Sequence, residues 1–227
     1  MDKREDSQSP GRGKWSFRVL RGLAAPLMLG LVAAFPAAAG APSDQTQRMN
    51  AALLAAMQGG GKLGYEGRYR LIDPVAQAVF DFPGMARAAA GAYWTGFSPA
   101  EQAKLADAFA RLSVATFAAR FDGFSGERFE VKSERPAERG TVFVENDLLK
   151  SNGEKVAINY IYREGKTGWQ VADIFLDGKF SELAIKRSEF TAVLKSDGLA
   201  ALLARIEDRI GKLRAGVTAK DVMLFIL

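Results

Sequence analysis

The stretch from Val156 to Phe190 constrains the fold of this chain more than any other. Val156, Ile158, Tyr160 and Tyr162 alternate with Ala157, Asn159, Ile161 and Arg163, the period-two pattern of a strand with one bulky apolar face. A second strand follows. Trp169, Val171, Asp173 and Phe175 alternate with Gln170, Ala172, Ile174 and Leu176, so it is apolar on both faces and is expected near the centre of a sheet. Gly165 and Gly168 bracket a short loop that suits an antiparallel hairpin. Gly178 then breaks the strand, and Ser181 is placed to cap a helix that begins at Glu182. No catalytic motif lies in this stretch. It offers an aromatic wall, and the rest of the chain must supply whatever packs against it.

The upstream half reads as helical. Met49, Leu53 and Met57 recur on one face of Ser43–Gln58, and Gly59-Gly60-Gly61-Lys62 stops that helix as a hinge. The P-loop spacing G-x-x-x-x-G-K-[ST] is absent there, and no strand precedes it. Tyr65–Phe82 is aromatic and basic, and Pro74 is expected to open a new helix at its first turn. A short helix follows over Pro83–Tyr93, then a cluster of Tyr93, Trp94 and Phe97. Ser98-Pro99-Ala100-Glu101 has the residues of a capping box with proline at the first helical position. The helix it starts should run to about Phe121, with Leu105, Phe109, Leu112, Thr116, Phe117 and Phe121 along one stripe.

Two more strands are expected over Arg128–Lys150, turning at Pro136–Gly140, and Asn152-Gly153 connects them to the central hairpin. Helices over Glu182–Lys195 and Gly198–Leu213 close the chain. Helices, then strands, then helices predict an α+β fold: a four-stranded twisted antiparallel sheet with helices packed on one face. Phe109 and Phe117 should approach the sheet face that carries Tyr160 and Trp169.

Composition removes several classes of function. The 227 residues contain no cysteine and no histidine, which excludes disulfides, thiolate or imidazole metal ligands, cysteine nucleophiles and a Ser-His-Asp triad. The net charge of +5 is concentrated at the start, where Met1–Ala39 holds six basic residues against three acidic ones, so no nucleic-acid footprint is expected. That segment has a polar, basic beginning, the apolar run Leu23–Phe35 and then Ala37-Ala38-Ala39 before Gly40, the layout of a secretory signal peptide over residues 1–39. An uncleaved anchor is the competing reading, but the apolar run is shorter than the roughly 20 residues a span requires and is interrupted by Pro26. Residues 40–227 then form a single domain. Val222–Leu227 is a short apolar tail.

Gly64–Pro74, Phe80–Trp94, Ser98–Phe109, Trp169–Gly178 and Phe180–Phe190, in that order and spacing, resemble the Mla-type (toluene-tolerance, MlaC) family of periplasmic lipid-binding subunits. Many members of that family carry a Gly-Val-Ser step after the last strand. Here the step is Gly178-Lys179-Phe180-Ser181, which is similar to the hopanoid-associated (HpnM-like) subgroup. The resemblance implies a periplasmic carrier that holds the apolar part of a phospholipid or hopanoid in an apolar pocket enclosed by the sheet and its helices, like the cone of NTF2-type domains. It would work as a monomer without cofactor or metal, between an outer-membrane lipid donor or acceptor and an inner-membrane ABC transporter complex. The implied lining is Tyr160, Trp169, Val171 and Phe175 from the sheet with Phe109, Leu112 and Phe117 from the helix. Tyr93, Trp94 and Phe97 would form the mouth, and Arg68, Arg70, Lys186 and Arg187 are candidates for headgroup or membrane contact.

Two other readings compete. One is an enzyme of the ketosteroid-isomerase or NTF2 type with Asp173 as general base, since a carboxylate on an apolar strand face would have a raised pKa. The other is an adaptor subunit of a transporter that carries nothing itself.

Overall fold

The computed structural model describes residues 40–165 and 168–216. The expected signal segment and the apolar tail Val222–Leu227 lie outside the described residues. The described residues form five α-helices and one five-stranded antiparallel sheet of order β1-β2-β3-β4-β5. In chain order these are α1 (Pro42–Val79), α2 (Phe82–Ala90), α3 (Pro99–Arg120), β1 (Arg128–Pro136), β2 (Thr141–Leu149), β3 (Lys155–Gly165), β4 (Gly168–Leu176), β5 (Phe180–Ser181), α4 (Glu182–Ser196) and α5 (Gly198–Arg214).

Local chemistry explains where α2, α3 and α4 begin. Ser98 and Glu101 close a reciprocal capping box at the start of α3: Ser98 N–H donates to the Glu101 carboxylate at 2.8 Å, and Glu101 N–H donates to Ser98 Oγ at 3.3 Å. Ser181 Oγ accepts from Ala184 N–H at 2.9 Å and caps α4. Asp81 does the same for α2, accepting from Gly84 N–H at 2.9 Å. Inside α1 the backbone leaves helical geometry at Gly60 (φ 37°) and Gly64 (φ 60°), which only glycine adopts cheaply, so the expected hinge is a break within one long element. Pro74 opens no new helix and sits inside α1. Its missing hydrogen bond is offset by the burial of Ile72, Ala76 and Val79 around it, and Gln77 bonds Asp73 across it at 3.1 Å.

The sheet departs from expectation in three ways. It has five strands, because Phe180–Ser181 pairs with Phe175–Leu176 before α4 begins. The central strand is β3. β4 lies one place further out, its edge closed by β5 at one end and by a bridge from Phe80 to Val171 at the other, where Asp81 N–H donates to the Val171 carbonyl at 3.0 Å. Finally, Ile161 pairs with Asp173 while Tyr162 pairs with Val171, so Ala172 is the extra residue of a β-bulge. A bulge inverts the alternation beyond it. Trp169 and Val171 therefore share the helix-facing side with Ile174 and Leu176, while Asp173 and Phe175 face away. Strict alternation had put Trp169, Val171, Asp173 and Phe175 on one face.

The helices cover the sheet face carrying Val144, Asn146, Leu148, Ile158, Tyr160 and Tyr162. Buried polar pairs set the docking of α1 on that face. Asn50 and Asn146 exchange hydrogen bonds at 2.7 and 3.3 Å, and the hydroxyls of Thr46 and Tyr162 meet at 2.8 Å. Arg111 of α3 bonds both Asp107 and Glu207, tying α3 to α5.

Candidate functional site

Where α1, just before its break at Gly60, and the C-terminal end of α3 meet the sheet, the packing opens into a slot of about 410 Å³. Leu53 and Met57 of α1 and Phe117 and Phe121 of α3 form one wall. Leu148, Val156, Ile158, Tyr160 and Ile174 of β2, β3 and β4 form the other. The polar groups are Arg120, Glu127 and Lys150, beside Gly123. A shallow depression continues outward over Gly59–Lys62 and Asp122–Phe124, sharing Met57 and Gly123 with the slot. Gly60 is confined there, since a Cβ at that position would meet the Asp122 carbonyl at 3.2 Å.

The slot is lined mainly by apolar side chains, with three charged ones among them. Burial pushes the Arg120 guanidinium below its ordinary pKa, an effect that Glu182 opposes and Arg209 reinforces. Burial likewise pushes the Tyr160 phenol well above its ordinary value. Lys150 is paired with Glu154 at 2.9 Å, and Glu127 accepts from Ser125 N–H at 2.6 Å. Deeper in, Phe80 tilts against Phe117 at 5.8 Å and lies edge-on to Tyr160 at 6.4 Å, closing the inner end with rings.

The structure brings Phe117 and Tyr160 together in the slot and places the other expected lining residues elsewhere. Phe109 is packed in solid core between Phe82 (6.4 Å) and Phe190 (6.0 Å). Leu112 faces a separate cleft bounded by α3, α4 and α5. Val171 is fully buried beside Phe80, Trp169 is half-buried against the core next to the turn of the β3–β4 hairpin, and Phe175 is on the far face of the sheet. Tyr93 and Trp94 lie in a 3₁₀ turn over Gly91–Gly96, with Phe97 just beyond it. Gln102 holds that turn by donating to the carbonyls of Trp94 (3.1 Å) and Phe97 (3.2 Å), and none of the three aromatics lines the slot.

The four basic candidates are scattered. Arg68 is buried and donates to the Ala118 carbonyl at 2.7 Å and the Gly60 carbonyl at 3.0 Å, so it staples the break in α1 to α3. Lys186 is buried in the α3–α4–α5 cleft, while Arg70 and Arg187 are exposed. Asp173 accepts from Ser181 Oγ (2.6 Å), Ile174 N–H (2.7 Å) and Leu183 N–H (3.1 Å), anchoring the start of α4 on the face turned from the slot.

Residue reading missed Ile158, Ile174, Leu148 and Val156 as lining, and Phe80 as the ring that closes the slot. Leu53, Met57 and Phe121 are legible in the sequence as parts of apolar faces, but only their convergence on the sheet shows that they border a space. The available signal was the pair Ile158 and Ile174, which a bulge-free stretch of register sets side by side with Tyr160. Among the described residues no group of three or more His, Cys, Asp or Glu is placed to hold a metal ion, and no helix is long and apolar enough to cross a membrane.

No curated protein matches the chain. Its fold is similar to that of a phospholipid-binding protein from Ralstonia solanacearum solved in complex with a phospholipid, with a TM-score of 0.67 and 23% identity, over 77% of this chain and 99% of that one. The sequence profile described as MlaC protein matches residues 47–208, which takes in α1 through most of α5, and the chain therefore belongs to the MlaC family.

Proposed function

We propose that this protein is a lipid carrier that holds hydrocarbon in the slot between α1, α3 and the sheet. The observation that carries the reading is the slot itself: a space of about 410 Å³ walled mainly by aliphatic and aromatic side chains. That is the shape a lipid tail needs, within the roughly 300–1,000 Å³ typical of small-ligand pockets. Each buried methylene contributes about 0.8 kcal/mol, so a tail is retained without any reactive group. Membership of the MlaC family and the likeness to a phospholipid-binding protein support the same function.

The finer reading is that the chain is exported after cleavage following Ala39 and works as a periplasmic monomer. It would shuttle a phospholipid or hopanoid between the outer membrane and an inner-membrane ABC transporter. The Gly178-Lys179-Phe180-Ser181 step supports the hopanoid-associated subgroup. A cone-like enclosure of the lipid by sheet and helices belongs to this reading, with Arg120 and Lys150 nearest the headgroup.

The test is mass spectrometry of solvent extracts from the purified protein and from Ile158→Trp, which narrows the slot. A defined phospholipid or hopanoid in the wild type, and much less of it in Ile158→Trp, is the expected result. Protein that carries no lipid, or a variant that carries as much as the wild type, overturns the assignment. The mass of the extracted lipid separates the phospholipid from the hopanoid reading.

A further inference from the structure

Among the described residues the large apolar side chains that stand exposed are Leu63, Tyr93, Phe124 and Phe180. Single cases are ordinary on a protein surface, so their position is what matters. Tyr93 and Phe180 are on separate segments and line neither the slot nor the α3–α4–α5 cleft. Leu63 (37% exposed) follows Lys62 in the break of α1, and Phe124 (44% exposed) is in the loop after α3. These two segments border the depression that leads out of the slot.

Both segments are held at their bases. Phe121 and Phe129, at the two ends of the second loop, have their rings 6.1 Å apart, and Ser125 N–H donates to Glu127 at 2.6 Å. Phe121 is also a wall of the slot, so Phe124 follows three residues after the lining. On the first segment Arg68 donates to the Gly60 carbonyl at 3.0 Å. The two segments meet where Gly60 approaches the Asp122 carbonyl. Gly61 and Gly123, on the same rim, face open space and add no bulk to it. The charges of the depression balance, with Lys62 on one segment and Asp122 on the other.

A phenyl ring and a leucine on an uncharged rim, beside the mouth of an apolar slot, suit a surface that is apolar just beneath a polar layer. We propose that this rim docks on a lipid bilayer, with Phe124 and Leu63 entering the interface, so that a tail passes between membrane and slot without crossing water. The proposal rests on lipid carriage in the slot. A tail moving through water would expose methylenes that slot and bilayer both keep dry. Shallow entry of two side chains gives weak, reversible attachment, which a carrier needs in order to leave. A protein partner fits less well, since a stable interface buries about 1,200–2,000 Å² around central anchors and this rim offers two separate side chains about a depression.

Phe124→Trp supplies the probe. With phosphatidylcholine vesicles the emission of this variant, less that of the wild type, should shift to the blue and be quenched by lipids brominated on their acyl chains. Tyr93→Trp, at the exposed ring of the 3₁₀ turn, should show neither change. Phe124→Ser should lower the vesicle partition coefficient in co-sedimentation about tenfold, the scale of withdrawing one aromatic side chain from an apolar layer, and Leu63→Ser should lower it less. Phe124 lies outside the slot, so Phe124→Ser loaded from detergent-dispersed lipid should hold as much as the wild type. Ile158→Trp, which narrows the slot, should still sediment with vesicles, and the two variants thereby separate a failure of docking from a failure of carriage. Unchanged emission from Phe124→Trp, partition unaffected by Phe124→Ser, loaded lipid lost from Phe124→Ser, or vesicle binding that requires an added membrane protein overturns the proposal.

Discussion

Two neighbouring regions of this molecule are built from the same kinds of side chain, and only one is solid. Around Phe82 and Phe109 the rings of α2 and α3 lie 6.4 Å apart and border neither hollow. A few turns along α3, Phe117 and Phe121 face Ile158, Tyr160 and Ile174 across an open slot. Composition does not separate the two regions. Backbone paths do: α2 packs directly onto α3 around Phe109, whereas beside the slot α1 breaks at Gly60 and the chain leaves α3 through a glycine-containing loop. An aromatic stripe thus packs or lines according to what the opposite backbone does, which explains why α3 serves both regions.

The largest expected effect comes from a matched pair of substitutions. Leu105 is fully buried in the core and Leu53 is equally buried but borders the slot. Leu105→Ala should cost about 3–5 kcal/mol, the range for a leucine whose cavity cannot collapse. Leu53→Ala should cost roughly half of that or less in delipidated protein, because one side of that leucine already lacks packing partners. Denaturant melts of both variants decide the matter, and equal costs would mean the slot is as solid as the core.

Trp169 sharpens the boundary between the regions. It is half-buried at the far end of β4 and lines neither hollow, so Trp169→Ala should cost about 1–3 kcal/mol and leave lipid occupancy unchanged. A loss of bound lipid in that variant would extend the slot further along the sheet than its walls now indicate.

The smallest effect concerns the opposite face of the sheet, where Asp173 holds α4. Burial raises its carboxyl above the model-compound value of 3.8, outweighing the hydrogen bonds from Ser181, Leu183 and Ile174 that pull it down. The folded protein therefore holds this proton more tightly than the unfolded chain. Its contribution to stability is present below pH 3.8 and is lost as pH rises through the raised folded value. Asp173→Asn, which keeps the acceptor oxygen for the two amides, should flatten that part of the stability–pH profile. An unaltered profile in melts across the acid range would show that the carboxyl is not perturbed. Glu101, exposed and held below its ordinary value chiefly by Ser98, has the opposite sign: what it contributes is lost as pH falls through its lowered pKa.

Much of the architecture was determined by the sequence alone. Ser98 with Glu101, and Ser181 ahead of Glu182, start helices because a cap needs only residues within one turn of each other. Alternation along β3 put Ile158, Tyr160 and Tyr162 on one face because successive strand residues point oppositely wherever the ladder is regular. The absence of histidine and cysteine removed whole classes of chemistry without reference to shape. The tertiary structure alone decided the rest. Ala172 becomes a bulge only because Tyr162 pairs with Val171, and that one insertion turns Asp173 and Phe175 away from the helices. Arg68 and Lys186 look like surface charges until α3 brings a carbonyl to one and α5 an apolar wall to the other. The slot is likewise absent from any single segment, since an empty space belongs to the distance between walls, which register, helix breaks and packing set jointly and no local pattern records.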